Sequence, residues 1–110
     1  MKSSIVINLN GKEIGFKFTT LTLRLFCEKE KIEFSDIINT LNKNTPSFML
    51  TIIQCANIVY NKGQEIDIYE VDEWIDLMED EQIRKVWDCF MESIKDFVNK
   101  APKEENVKKK

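Results

Sequence analysis

No histidine occurs among the 110 residues of this chain. That removes the commonest general base near neutral pH, and with it the Ser-His and Cys-His arrangements of nucleophilic catalysis. The three cysteines, Cys27, Cys55 and Cys89, stand far apart and form neither a CxxC nor a CxxH pair. A structural zinc site would need carboxylates to complete it, an uncommon donor set. They read as buried, reduced thiols of a reducing cytosol. Carboxylates crowd one stretch, where Asp72, Glu73, Asp76, Glu79, Asp80 and Glu81 follow one another closely. A calcium loop needs a turning glycine there and none is present, so these charges read as solvated helix surface and helix N-terminal charge. Gly11, Gly15 and Gly63 never cluster into a phosphate-cradling loop. The expectation is a protein with no catalytic site, no cofactor and no metal.

What remains is chemistry of contact. Trp74, Met78, Trp87 and Met91 are candidate partner-contacting residues, because aromatic side chains and methionine are enriched at interfaces. Both tryptophans also fall on the apolar stripes of their helices, which favours the core for them. Lys108, Lys109 and Lys110 form a cationic end, but Glu104 and Glu105 lie close by and no aromatic residue is interleaved for base stacking. With a net charge of -3 and a pI near 5.1, the chain as a whole repels a phosphate backbone. Nucleic acid is therefore not an expected partner. Neither is a membrane, since no apolar run approaches the roughly 18 residues of a span. The alternating N-terminal segment is too short for a signal peptide, which places the expected site of action in the cytoplasm.

These residues need elements to carry them. Ile5, Ile7 and Leu9 alternate with Ser4, Val6 and Asn8, Asn10-Gly11 interrupts, and Ile14, Phe16 and Phe18 resume the period of two. That pattern predicts a β-hairpin with one apolar face, closed by a tight turn. An isolated hairpin is marginal in water, so helices must cover that face. A first helix is expected from a cap at Thr20 or Thr22 to about Lys31, with Leu21, Leu25 and Phe26 inward. A short second helix follows a cap at Ser35, with Ile37, Ile38 and Leu41 inward. Thr45-Pro46 opens a long helix through Phe48, Met49, Ile52, Ile53, Ala56, Val59 and Tyr60, with Gly63 as its stop. Asp67 and Glu70 read as a capping box before Val71, Trp74, Ile75 and Met78. The last helix starts near Asp80 and keeps Ile83, Val86, Trp87, Phe90, Ile94, Phe97 and Val98 on one stripe. The predicted architecture is α+β: an N-terminal hairpin packed on four to five helices, one domain over 1-100, and a solvated lysine-rich tail over 101-110. The width of the last stripe, more than a hairpin covers, predicts weak self-association.

The segments INLNGKEIGFKF and LTLRLFCEKEKIEF, followed by a long apolar helix, a turn at Lys62-Gly63 and the acidic DIYEVDEWIDLM helix, resemble the tail assembly chaperones of long-tailed bacteriophages. The residues that carry the resemblance are Asn10, Gly11, Lys12, Phe16, Phe18, Leu23, Arg24, Phe26 and Glu28, and it extends over nearly all of residues 1 to 100. Where the family often has a glycine after its first helix, this chain has Lys31 and Ile32. The resemblance implies a protein that coats the tape measure protein, keeps it soluble and helps bring tail tube protein to it. It also implies that the final lysines stand where a -1 ribosomal frameshift would produce a longer form. The alternative expectation is a small non-enzymatic adaptor or regulatory protein of a phage or mobile element.

Overall fold

In the computed structural model, residues 4-43 and 45-100 are described. Strands β1 (Ser4–Leu9) and β2 (Lys12–Lys17) form the hairpin. Helix α1 (Thr20–Glu30) follows, then a 3-10 turn (Phe34–Asp36) and helices α2 (Ile37–Lys43), α3 (Thr45–Tyr60), α4 (Ile68–Leu77) and α5 (Asp80–Lys100). The expected α+β architecture is what the chain adopts. The Lys108 to Lys110 cluster and the rest of 101-110 lie outside the described residues.

The turn residues Asn10 and Gly11 both have positive φ, 53° and 82°. This is the requirement of a two-residue I′ turn, and asparagine and glycine meet it at least cost. The turn fixes the register, in which Ile5 faces Phe16, Ile7 faces Ile14 and Leu9 faces Lys12. Ile7, Leu9, Ile14 and Phe16 are therefore buried on one face, covered by helices. Phe16 meets the edge of Trp74 at 5.9 Å, and Phe18 and Phe26 both meet Phe90, at 6.0 and 6.3 Å. Phe90 is fully buried and joins the hairpin, α1 and α5 in one core.

Several local expectations give way to tertiary contacts. The cap of α1 is Thr19, not Thr20 or Thr22. Thr22 is fully buried at the third helical position, where its hydroxyl donates to the Lys17 carbonyl at the end of β2 and accepts from the Thr19 N–H. Those bonds set the phase of α1 so that Thr22, Leu23 and Phe26 face inward, while Leu21 is 51% exposed. At the C-terminus of α1, Lys31 takes the left-handed conformation, φ 58°, and Ile32 N–H closes back on the Cys27 carbonyl. A lysine thus fills the place that a glycine fills more cheaply. The same closure ends α3, with Lys62 at φ 57° and Gly63 N–H on the Ile58 carbonyl. The second helix is entered through the 3-10 turn, whose cap is Glu33 instead of Ser35. Ile37 is buried there, whereas Ile38 points outward. Asp67 caps α4 through Tyr69 N–H, but Glu70 turns its carboxylate to Lys12 at 4.0 Å instead of closing a capping box. Such an exposed pair contributes little.

Candidate partner-binding surfaces

Trp74 and Met78 are each only 7% exposed and belong to the core, so neither offers a free partner-contacting face. Trp87 is half-buried with its ring 5.4 Å from Phe90. Met91 does face outward, 36% exposed, beside a shallow hollow on α5 that Ile94 and Lys95 share. The wide apolar stripe of α5 is spent mostly inside the molecule, since Val86, Phe90 and Ile94 are buried and Val98 is its exposed end. Asp72, Glu73, Asp76, Glu79, Asp80 and Glu81 are all exposed. Among the described residues no group of three or more His, Cys, Asp or Glu side chains converges as a metal site requires.

Two grooves among the described residues combine apolar and charged lining. The first lies between α1, the 3-10 turn and the end of α5, with a volume of about 300 Å³. Leu23, Cys27, Ile32, Phe34 and Phe97 make its apolar floor, and Arg24, Glu28 and Glu33 stand at its rim. Phe34 and Phe97 pack edge to face at 4.5 Å and form one end wall. The 3-10 turn is what brings Phe34 there. Sequence reasoning began the second helix at Ser35 and gave Phe34 no role. The missed signal was a lone aromatic directly before the predicted cap, in the place where a hydrophobic staple residue sits.

The second groove, about 780 Å³, is lined by β1 from Ser4 to Asn8, by Gln82, Lys85, Asp88, Cys89 and Glu92 of α5 and by Tyr60 of α3. A two-residue turn makes Leu9 and Lys12 a hydrogen-bonded pair, and pairing then alternates. Ser4, Val6 and Asn8 therefore turn their backbone groups toward this groove, and Glu13, Gly15 and Lys17 turn theirs away from the hairpin on the β2 side. The β2 side is covered at Gly15 and Lys17, and a smaller hollow of about 220 Å³ remains beside Lys12 and Glu13. Asn57, 4% exposed, donates its amide to the Gly15 carbonyl at 2.9 Å, Thr22 serves Lys17, and the Tyr60 ring lies where a side chain on Gly15 would be. On the β1 side, Gln82 donates to the Asn8 carbonyl at 3.1 Å while its own carbonyl accepts the Glu79 N–H.

Two of the thiols are tuned away from reactivity. Burial pushes the Cys55 thiol up to about 12, with Lys29 opposing and the Glu30 and Glu65 carboxylates adding to the shift. Cys27, which is half-buried where full burial was expected, is raised by that burial and by the Glu33 carboxylate. Both stay protonated at neutral pH, and the thiol is neither the nucleophile nor the metal-binding form. Among the described residues, no helix is long and apolar enough to cross a membrane. The chain matches no family model, no curated protein and no solved structure.

Proposed function

We propose that this chain is a tail assembly chaperone of a long-tailed bacteriophage, which binds the tape measure protein in the host cytoplasm, keeps it soluble and helps recruit tail tube protein to it. The observation that carries this reading is the first groove, where Cys27, Ile32, Phe34 and Phe97 are half-buried over a buried Leu23 on a folded scaffold. A helix-walled apolar trough with a charged rim suits the apolar face of an amphipathic helix, and a long helical protein presents such faces repeatedly. The resemblance of the hairpin and α1 to the chaperone family supplies the identity of that partner. No step of this activity calls for a nucleophile, a base or a cofactor.

On this reading the gene immediately downstream encodes a long coiled-coil protein, and co-expression with that gene's product tests the proposal. That protein is expected to be soluble and to copurify with the tagged chain, and to aggregate without it. Equal solubility with and without the chain, or no copurification, overturns the reading and favours an adaptor for some other folded partner.

A further inference from the structure

The two edges of the hairpin are finished differently, and the open one is self-complementary. On β2 the outward carbonyls of Gly15 and Lys17 are met by Asn57 and Thr22. On β1, Gln82 meets only Asn8, at the turn end. The rest of that edge, Ser4-Ile5-Val6, carries no charge and no proline, and Val6 is 47% exposed. It lacks the lysine, proline or bulge with which sheet edges are usually blunted.

We propose that β1 pairs antiparallel with β1 of a second copy of this chain, about a two-fold axis at Ile5, to form a four-stranded sheet across the dimer. Gln82 selects this register. An axis at Val6 would need the Asn8 carbonyl that Gln82 occupies, whereas an axis at Ile5 pairs Ser4 with the second copy's Val6, and Val6 with its Ser4. Each of those two pairs exchanges both backbone hydrogen bonds. Ile5, half-buried at the groove, then meets its own symmetry mate on the core side of the sheet.

Three charged residues of α5 line the groove, Lys85, Asp88 and Glu92. Lys85 and Glu92 match the same axis, while Asp88 stands beside it and opposes its own symmetry mate. Gln82 bonds Asn8, and Phe90 meets Phe18, just past the pair of Ser4 with Lys17. The helix therefore runs antiparallel to β1. Asn8 lies about 10 Å from Ile5 along the strand, a distance that α5 covers in about seven residues, so Cys89 stands level with the axis. Lys85 lies about 6 Å to one side and Glu92 about 4.5 Å to the other. A half-turn puts the second copy's Glu92 level with Lys85, and its Lys85 level with Glu92. The axis is perpendicular to the sheet, so both copies of α5 lie on the same side, and each Lys85 is level with the other copy's Glu92.

This dimer is independent of the chaperone reading, since it uses neither the first groove nor the tape measure protein. Sedimentation equilibrium of the full chain is expected to show a reversible monomer–dimer equilibrium. Val6→Lys should shift it to monomer with an unchanged melting temperature, and Val6→Pro, which removes an outward N–H and fixes the local φ, should also shift it to monomer. Lys85→Glu should weaken dimerisation about tenfold, and the double variant Lys85→Glu, Glu92→Lys should restore it. A strict monomer at every concentration, a dimer indifferent to Val6→Lys, a double variant no tighter than Lys85→Glu alone, or growth into open polymers would each overturn the proposal.

Discussion

The two grooves are built from opposite materials. One is walled by helices, whose backbone groups are already paired, so it offers a visitor only side-chain surface: Leu23, Cys27, Ile32, Phe34 and Phe97. The other is bounded by the edge of a strand, so it offers unspent backbone hydrogen bonds at Ser4 and Val6 and a flank of charges from α5. Helix-walled apolar surface discriminates weakly among apolar partners and resists salt. A strand edge flanked by charge demands a fixed register and loses its electrostatic share as salt rises. In one small domain, the first suits a long and repetitive helical partner, and the second suits a partner of one defined geometry.

Both grooves rest on the same core, so the largest effect should come from removing what they share. Phe16 and Phe18 are 0% and 1% exposed, and Phe16→Ala or Phe18→Ala is expected to destabilise the fold by about 3 to 5 kcal/mol. Thermal melts of both variants within error of the parent would remove the hairpin-on-helix packing on which both grooves depend. A smaller effect should separate the two hairpin edges. Asn57→Leu leaves the Gly15 carbonyl without its donor, which should cost about 1 to 3 kcal/mol. Urea unfolding would measure it. A cost near zero would mean that the β2 edge is not sealed by this bond, and the contrast with β1 would lose its basis.

Much of this arrangement was legible in the sequence, for local reasons. The hairpin was written twice, by period-two alternation and by Asn-Gly, and its register follows from the turn alone. In α3, a sustained apolar pattern placed Phe48, Ile52, Ile53 and Ala56 inward, where the structure has them, whereas Met49 and Val59 on the same pattern are half-buried and Tyr60 is exposed. Helix α1 was ambiguous because Leu21, Leu23 and Leu25 alternate around it, so no helical phase buries all three. A hydroxyl bond from Thr22 to a residue five positions back in β2 decided the matter, and no pattern within the helix encodes that. Asn57 was unreadable for the same reason: a buried amide looks like a surface residue until the carbonyl it serves is known, here 42 positions away. The groove residue Phe34 was missed because a 3-10 turn has no periodicity long enough to show. The edge of β1 was visible as sequence, but its openness depends on which helix seals which strand.

Most direct for the helix-walled groove is copurification of the tape measure protein with the full chain at low and high salt, comparing the parent with Phe34→Asp. Ile32→Asp serves as a second variant, and melting temperatures confirm that both fold. Screening shortens from about 10 Å at roughly 0.1 M salt to about 3 Å at roughly 1 M, so a contact held by charge should fail at the higher concentration. The expected result is a complex that survives high salt with the parent chain and is lost with folded Phe34→Asp or Ile32→Asp at either concentration. A complex that dissolves at high salt, and that both variants bind as well as the parent does, would contradict it and would move the binding surface to the acidic stretch from Asp72 to Glu81.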